Sequence, residues 1–385
     1  MDWYLCFMPD KNVSTPQIEE EDAYLEYVDP DMTRPTITDP TNQPSSNCPY
    51  LKQVVVEYVL GDPKNIDPTF LDAIIYSFVE IKSDGTLFVP TQSFLRQMVN
   101  LKKSKPSLKV IAAIGGWGAD GFSDAALTPT SRYNFAREIN KLINEYGLDG
   151  IDIDWEYPGN IAAGITARDV DKENFPLLLT AIRDVIGDNK WLSVAGVGDN
   201  GSIAKSFDIP KIEPLIDYFN VMTYDFTAGE SGERGKSHQA NLFESDLSLS
   251  GYSADKWITN LENAGMPSNK ILFGVPYYGR LGMNVTKSYD ELRKNFINKN
   301  GYTYKFDNTA KVPYLVDDSG NYAMSFENDL SLYYKGQYVR QNCLGGIFAW
   351  TSTYDQANIL SRAMNMSVSN SASLKAELEQ VYGPF

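Results

Sequence analysis

Eight short, almost continuously apolar runs recur along this chain, separated by stretches patterned as helices. They are Gln53 to Val59, Ala73 to Val79, Lys109 to Ile114, Gly150 to Trp155, Leu192 to Val197, Tyr218 to Thr223, Ile271 to Tyr277 and Gly345 to Trp350. Each has the length of a strand and little of the polar alternation expected of a sheet with one wet face. Strands of this kind are covered on both sides, which a parallel sheet with crossover helices achieves. The helix signals fit that scheme. Ser131 to Tyr146 carries Phe135, Ile139, Leu142, Ile143 and Tyr146 on one stripe and stops at Gly147. Ser253 is placed to cap a helix that buries Trp257 and Leu261 and stops at Gly265. Asn174 to Ile186, with Pro176 near its start, and Ser373 to Val381 read as two more. Eight such units predict an α/β fold, the (β/α)8 TIM barrel. An open doubly wound sheet is the alternative, weakened because no Gly-x-Gly-x-x-Gly turn follows the first run.

The gap between the seventh and eighth runs is too long for one helix. Residues 281–328 are aromatic and polar, with Tyr302, Tyr304, Phe306, Tyr314, Tyr322 and Phe326. They predict a small α+β insertion between strand seven and helix seven, beside the barrel mouth, where it would deepen a cleft. The barrel would then comprise residues 51–280 and 329–385. Residues 1–50 read as a largely irregular N-terminal extension, rich in Pro, Thr, Asp and Glu from residue 10 on. Residues 1–9 are apolar, but with Asp2 and no basic segment they do not read as a signal peptide. No apolar run reaches the length of a membrane-spanning helix.

The fourth run differs from the others. Asp149, Asp152, Asp154 and Glu156 stand in it with Ile151, Ile153 and Trp155 between them. Strand side chains alternate, so Asp152, Asp154 and Glu156 share one face while the three apolar residues share the other. Carboxylates two residues apart lie ~6.6 Å apart along a strand, close enough to repel and raise at least one pKa. A protonated carboxyl above ionised neighbours is equipped for general acid catalysis. A solvated edge or a calcium loop is the plainer reading. Large apolar residues between the acids oppose the first, and the lack of a central glycine turn opposes the second.

Charge and residue usage exclude other chemistries. With 34 Lys and Arg against 50 Asp and Glu, the net charge is −16. That disfavours nucleic acid, whose backbone calls for clustered cations, and allows an uncharged polymer. The chain has one histidine, His238, so a two-histidine metal site or a His-Glu-x-x-His protease site cannot be built. His238 itself reads as a loop residue. Cys6, Cys48 and Cys343 are too few and too widely spaced for a disulfide framework or a zinc pattern, and Cys343 reads as a packed thiol.

Taken together, these residues resemble glycoside hydrolase family 18, the chitinase family, from about Leu51 to the C-terminus. The family's Asp-x-x-Asp-x-Asp-x-Glu motif is complete at Asp149, Asp152, Asp154 and Glu156. Further matching blocks are Ile114 to Trp117 after strand three, Met222 to Asp225 after strand six, Gly274 to Arg280 at strand seven and Trp350 at strand eight. The segment after Arg280 resembles a short form of the family's insertion domain.

The resemblance implies cleavage of β-1,4-linked N-acetylglucosamine chains without metal or cofactor. Glu156 would protonate the glycosidic oxygen, and the substrate's own acetamido oxygen would attack to give an oxazolinium ion. Water activated by Glu156 would then open that ion with net retention. Asp154 would accept from the acetamido N–H, Asp152 would share a proton behind it, and Tyr224 would donate to the acetamido oxygen. Asp225 would bond a sugar hydroxyl or position Glu156. Trp350 would floor the cleft and Trp117 would stack on the next sugar, with Gly116, Tyr157, Met222 and Arg280 completing the substrate-binding set, although Met222 also reads as core and Arg280 as the structural partner of a nearby carboxylate. Tyr58 and Phe78 stand between barrel filling and pocket wall, and Asp149 between chemistry and strand anchoring. His238 comes near the cleft without a catalytic duty.

Two departures stand out. Ala113 occupies a position where the family commonly has Ser, and Thr351 one where many relatives have Glu. Cleavage of the chitobiose core of N-linked glycans and non-hydrolytic chitin binding are the rival readings. The expected setting is extracellular, with a docking partner conceivable for the N-terminal extension.

Overall fold

The computed structural model describes Cys48 and residues 52–385, apart from Asn284. The N-terminal extension, Cys48 excepted, lies outside the described residues.

Eight parallel strands close on themselves: β1 Val54–Leu60, β2 Ala73–Ile81, β3 Lys109–Gly115, β4 Gly150–Asp154, β5 Trp191–Gly196, β6 Tyr218–Val221, β7 Ile271–Pro276 and β8 Gly346–Trp350. They pair in sequence order, and β8 pairs with β1 at Val54–Gly346 to complete the barrel. All eight expected strands are present, with ends displaced by a few residues.

The two faces of the strands bury differently. Val56, Tyr58, Ala73, Ile75, Ile111, Ala113, Leu272 and Phe348 fill the interior. Val55, Val59, Ile74, Ile151, Ile153 and Trp155 pack outward against the helices. Trp155 stacks on Phe122 at 5.5 Å, which anchors the outward phase of β4 and turns its acids inward.

The helix Pro129–Tyr146 buries the expected stripe. Thr128 and Ser131 form a capping box at its start, and Gly147 ends it in the left-handed conformation. The helix Asp171–Ile186 begins three residues earlier than its pattern indicated, so Pro176 lies in its second turn. Asp171 fixes that start by accepting from Ser123 Oγ at 2.7 Å and from the Arg168 amide at 2.7 Å. Ser253 caps the helix Ala254–Asn263 as its position suggested.

A second, antiparallel sheet of five strands stands after β7. It starts at Tyr278–Leu281, adjoining β7, and runs from the edge strand Val285–Ser288 through Tyr278–Leu281, Tyr322–Ser325 and Val312–Asp317 to the other edge, Tyr302–Asp307. A helix, Tyr289–Asn295, completes it as an α+β insertion ahead of the helix Asp329–Gln341.

The cysteine reading needs correction: Cys343 is no packed thiol but forms a disulfide with Cys48, their Cα atoms 5.7 Å apart. Spacing along the chain could not reveal this pair, because barrel closure brings together residues 295 positions apart. Replacing Cys343 with serine is expected to lower the unfolding free energy by about 3 kcal/mol. Urea denaturation should show the loss, and reduced wild type should fall to the same level.

Candidate active site

The acids of β4 point into the barrel near the C-terminal ends of the strands, where barrel enzymes carry their sites. Two glycines make room for them. Gly115 has φ 117°, and a Cβ there would lie 2.1 Å from the Asp154 carbonyl oxygen. Gly116 has φ 92°, and a Cβ there would strike the Phe78 ring.

Asp152 is the innermost acid and is fully buried. Tyr58 OH donates to one of its oxygens at 2.8 Å. Ser193 Oγ and Asn220 Nδ2 donate to the other at 2.6 and 3.1 Å. Asn220 Nδ2 also donates to Tyr58 OH at 2.8 Å, which closes the network. Burial pushes Asp152 up to about 6, while the Ser193 and Tyr58 hydrogen bonds pull the other way.

Ala113 lies in register with Asp152 on the neighbouring strand, so the hydroxyls that hold this acid come from Tyr58 and Ser193 instead. Sequence reasoning missed Ser193 and Asn220. Their signal was available: each is a single polar residue in an apolar strand, and register then sets Ser193 opposite Asp152.

Asp154 stands next. Its Oδ1 is buried without a hydrogen-bond partner in the protein. Burial, then the charges of Glu156 and Asp152, holds it well above the usual carboxylate range. Glu156, just past the strand, is pushed up to about 7 by burial, opposed by a hydrogen bond with Tyr157 and reinforced by the charge of Asp225. Tyr224 is buried, and burial with the charges of Asp154, Asp225, Glu156 and Asp152 raises its pKa and keeps its hydroxyl protonated as a donor.

Asp225 follows in the left-handed conformation, φ 60°. One of its oxygens accepts from Tyr278 OH and from Arg280 Nε, each at 2.6 Å. Arg280 is buried, also donates to the Gly282 and Met283 carbonyls, and lies over the Tyr278 ring at 5.8 Å. It therefore reaches the cleft through Asp225. Tyr278 was not singled out from the sequence, although it lies within the matching block.

Aromatic rings line the walls. Phe78 stacks on Trp350 at 5.4 Å, and Tyr58 lies 5.8 Å from Trp350. Trp117 meets the edge of Tyr157 at 6.4 Å, and Met222 packs on the inner barrel cluster. Tyr58 both fills the barrel and holds Asp152, so its two readings coincide. Thr351 joins β8 to β1, its hydroxyl donating to the Tyr58 carbonyl at 2.8 Å and accepting from the Leu60 amide at 3.0 Å.

Asp149 lies apart, at the start of β4, where it accepts from the Val110 amide and Lys102 at 2.8 and 2.7 Å. His238 is buried against the insertion. Its ring nitrogens lie 3.2 Å from Tyr322 OH and 3.2 Å from Asp307. Burial lowers its pKa despite Asp307. No group of three or more metal-ligating side chains occurs among the described residues.

Residues 50–355 match the family model for glycosyl hydrolases family 18. Chitinase A1 of Niallia circulans is 31% identical over an alignment of 311 positions that covers 70% of this chain and 44% of that protein, so the chain spans less than half the length of that relative. Among solved structures, the chitinase domain of the spore coat protein CotE from Clostridium difficile is 64% identical. It covers 90% of this chain and all of its own, with a TM-score of 0.67. The Ostrinia furnacalis group IV chitinase in complex with allosamidin is 26% identical over 84% of this chain and 99% of its own, with a TM-score of 0.72.

Proposed function

The chain belongs to glycosyl hydrolases family 18, and from that membership we propose that it hydrolyses β-1,4-linked N-acetylglucosamine chains by the substrate-assisted, retaining route. One observation carries the reading. Asp152 and Asp154 of β4 and Glu156 just past its end line a closed barrel, and burial pushes the outermost, Glu156, up to about 7.

In this scheme Glu156 gives its proton to the glycosidic oxygen as the bond to C1 breaks. The acetamido carbonyl oxygen forms a bond to C1, and the positive charge passes to the oxazolinium ring. Asp154, with one oxygen unpaired, takes the acetamido N–H and faces that charge. Tyr224 donates to the acetamido oxygen and fixes its line of attack. Glu156, now a carboxylate, removes a proton from the incoming water, which opens the ring from the face the leaving group vacated. Trp350 and Phe78 supply the apolar floor, and Trp117 a platform for the adjoining sugar. Chitobiose and chitotriose glycosides that release a fluorophore test the reading. Absence of release from the folded protein would favour the rival binding function.

The acid must carry its proton at the start of the cycle. Activity is therefore expected to fall as pH rises through about 7, the value to which burial pushes Glu156. A kcat/KM profile from pH 4 to 9 checks this, and an alkaline limb near the ordinary glutamate value would contradict it.

The proposal includes an oxidising, extracellular setting. The Cys48–Cys343 disulfide supports it, since such bonds persist outside reducing compartments.

A further inference from the structure

The outward face of β1 carries an acid that the cleft chemistry does not use. Val55 and Val59 point to the helices, and Glu57 shares their phase. It is fully buried, between Ile74 of β2 and Ala349 of β8 in the strand register. Its Oε1 accepts from Tyr277 OH at 3.0 Å and from Ser361 Oγ. Its Oε2 is buried with no hydrogen-bond partner.

A second acid stands close by. Ser361 also donates its amide to Asp355 at 3.0 Å, so one residue of the helix Ile359–Ser369 ties both carboxyls. Asp355 takes the Ile359 and Leu360 amides as well, at 3.1 and 2.7 Å. Asp290, on the insertion helix, accepts from the Gln356 amide at 2.9 Å and adds its charge to the same region. The groups around Glu57 are thus Tyr277 beyond β7, Asp355 beyond β8, Ser361 and Met364 on the following helix, and Asp290 behind Asp355. None of them is cationic, and no ion pair among the described residues includes Glu57. Arg293, the cation of this region, faces Asp290 at 3.9 Å.

The elements that meet here also carry the cleft. Tyr58, next to Glu57, holds Asp152, and Tyr278, next to Tyr277, holds Asp225. The Tyr277 amide donates to the Trp350 carbonyl at 2.7 Å.

We propose that Glu57 is a proton-operated latch: neutral, it fastens the helix Ile359–Ser369 and the β7 end to β1, and charged, it releases them. The ionised form would place a carboxylate with one unsolvated oxygen in an apolar layer that already holds Asp355. Opening the contact with Ser361 admits water to both acids. This device does not depend on what the cleft hydrolyses.

Burial pushes Glu57 up to about 7, while the Ser361 and Tyr277 hydrogen bonds pull it down. The folded chain therefore keeps a proton that the unfolded chain has already lost. The stability so gained is complete below the ordinary glutamate value and disappears as pH rises through about 7. A shift of this size corresponds to ~10²-fold in the folding equilibrium.

Glu57→Gln and Glu57→Met supply neutral side chains of similar length. Thermal midpoints of both and of wild type are to be measured from pH 4.5 to 8, with hydrogen exchange of residues 351–369 followed in parallel. Asp152 and Glu156 titrate in the same window but are common to all three proteins, so the difference reports Glu57 together with Asp355, which burial and the charge of Glu57 raise. The expected result is near-equal midpoints at pH 4.5 and a gap that widens toward pH 8. Wild type alone should lose exchange protection in 351–369 by ~10²-fold. Parallel curves and equal protection in a variant that folds would overturn the latch. Failure of both variants to fold would also overturn it, because the neutral side chain is the fastened form.

Discussion

Replacing Glu156 with glutamine is expected to cut turnover of a fluorogenic chitobiose glycoside by about 10³-fold, within the range that a positioned general acid supplies. Glutamine keeps the length and the hydrogen-bonding oxygen of the side chain but cannot transfer a proton. Binding should persist, and allosamidin, with which the similar Ostrinia furnacalis enzyme was crystallised, is a suitable probe. The fold should not suffer. Glu156 is raised to about 7 by burial, so above that pH the wild-type side chain is an unfavourable buried charge that glutamine removes. Urea denaturation at pH 8 should give the variant a midpoint no lower than that of wild type. A folded variant with wild-type turnover would show that the proton comes from another group.

Asp154→Asn is expected to lower kcat by about 10²-fold, the cost of removing one charged group aimed at a developing charge. The argument rests on its surroundings. Asp154 Oδ1 is buried and has no partner in the protein, although Asp152 just below it is fully hydrogen-bonded. Asparagine retains an oxygen that can accept the acetamido N–H, so KM should change less than kcat. It removes the negative charge that offsets the oxazolinium ring. The charge of Glu156 raises Asp154, and repulsion between like charges is mutual, so loss of the Asp154 charge is expected to make Glu156 easier to ionise. The alkaline limb of the kcat profile should therefore move to lower pH. An unchanged kcat, or a limb displaced upward, would remove Asp154 from the proposed role.

Much of the site was legible because its signals are local. The alternation of Asp152, Asp154 and Glu156 with Ile151, Ile153 and Trp155 requires only that the segment be a strand. Gly115 and Gly116 entered only with the block Ile114 to Trp117, and the structure supplies their reason: the Asp154 carbonyl and the Phe78 ring stand where side chains would go. Helix ends were readable where Ser253 and Gly147 cap them. The start at Asp171 was not, since its anchors, Ser123 and the Arg168 amide, lie outside the helical pattern.

Ser193, Asn220 and Tyr278 mark where reading along the chain ends. Each is an unremarked polar residue until barrel closure sets it against Asp152 or Asp225. Glu57 is a further case: its strand phase predicts an outward side chain, but only the packed helix shows that the carboxyl is sealed from water. Alternation, caps and glycine positions depend on a few neighbouring residues, and so the sequence by itself determined the eight strands, the inward face of β4 and the acids upon it. The Cys48–Cys343 bond, the donors that hold Asp152 and Asp225 and the raised proton affinities of Asp152, Glu156 and Glu57 were decided by the tertiary structure. Contacts across a closed barrel join distant positions, and a carboxyl's affinity for its proton depends on the water and charges that the whole fold leaves around it.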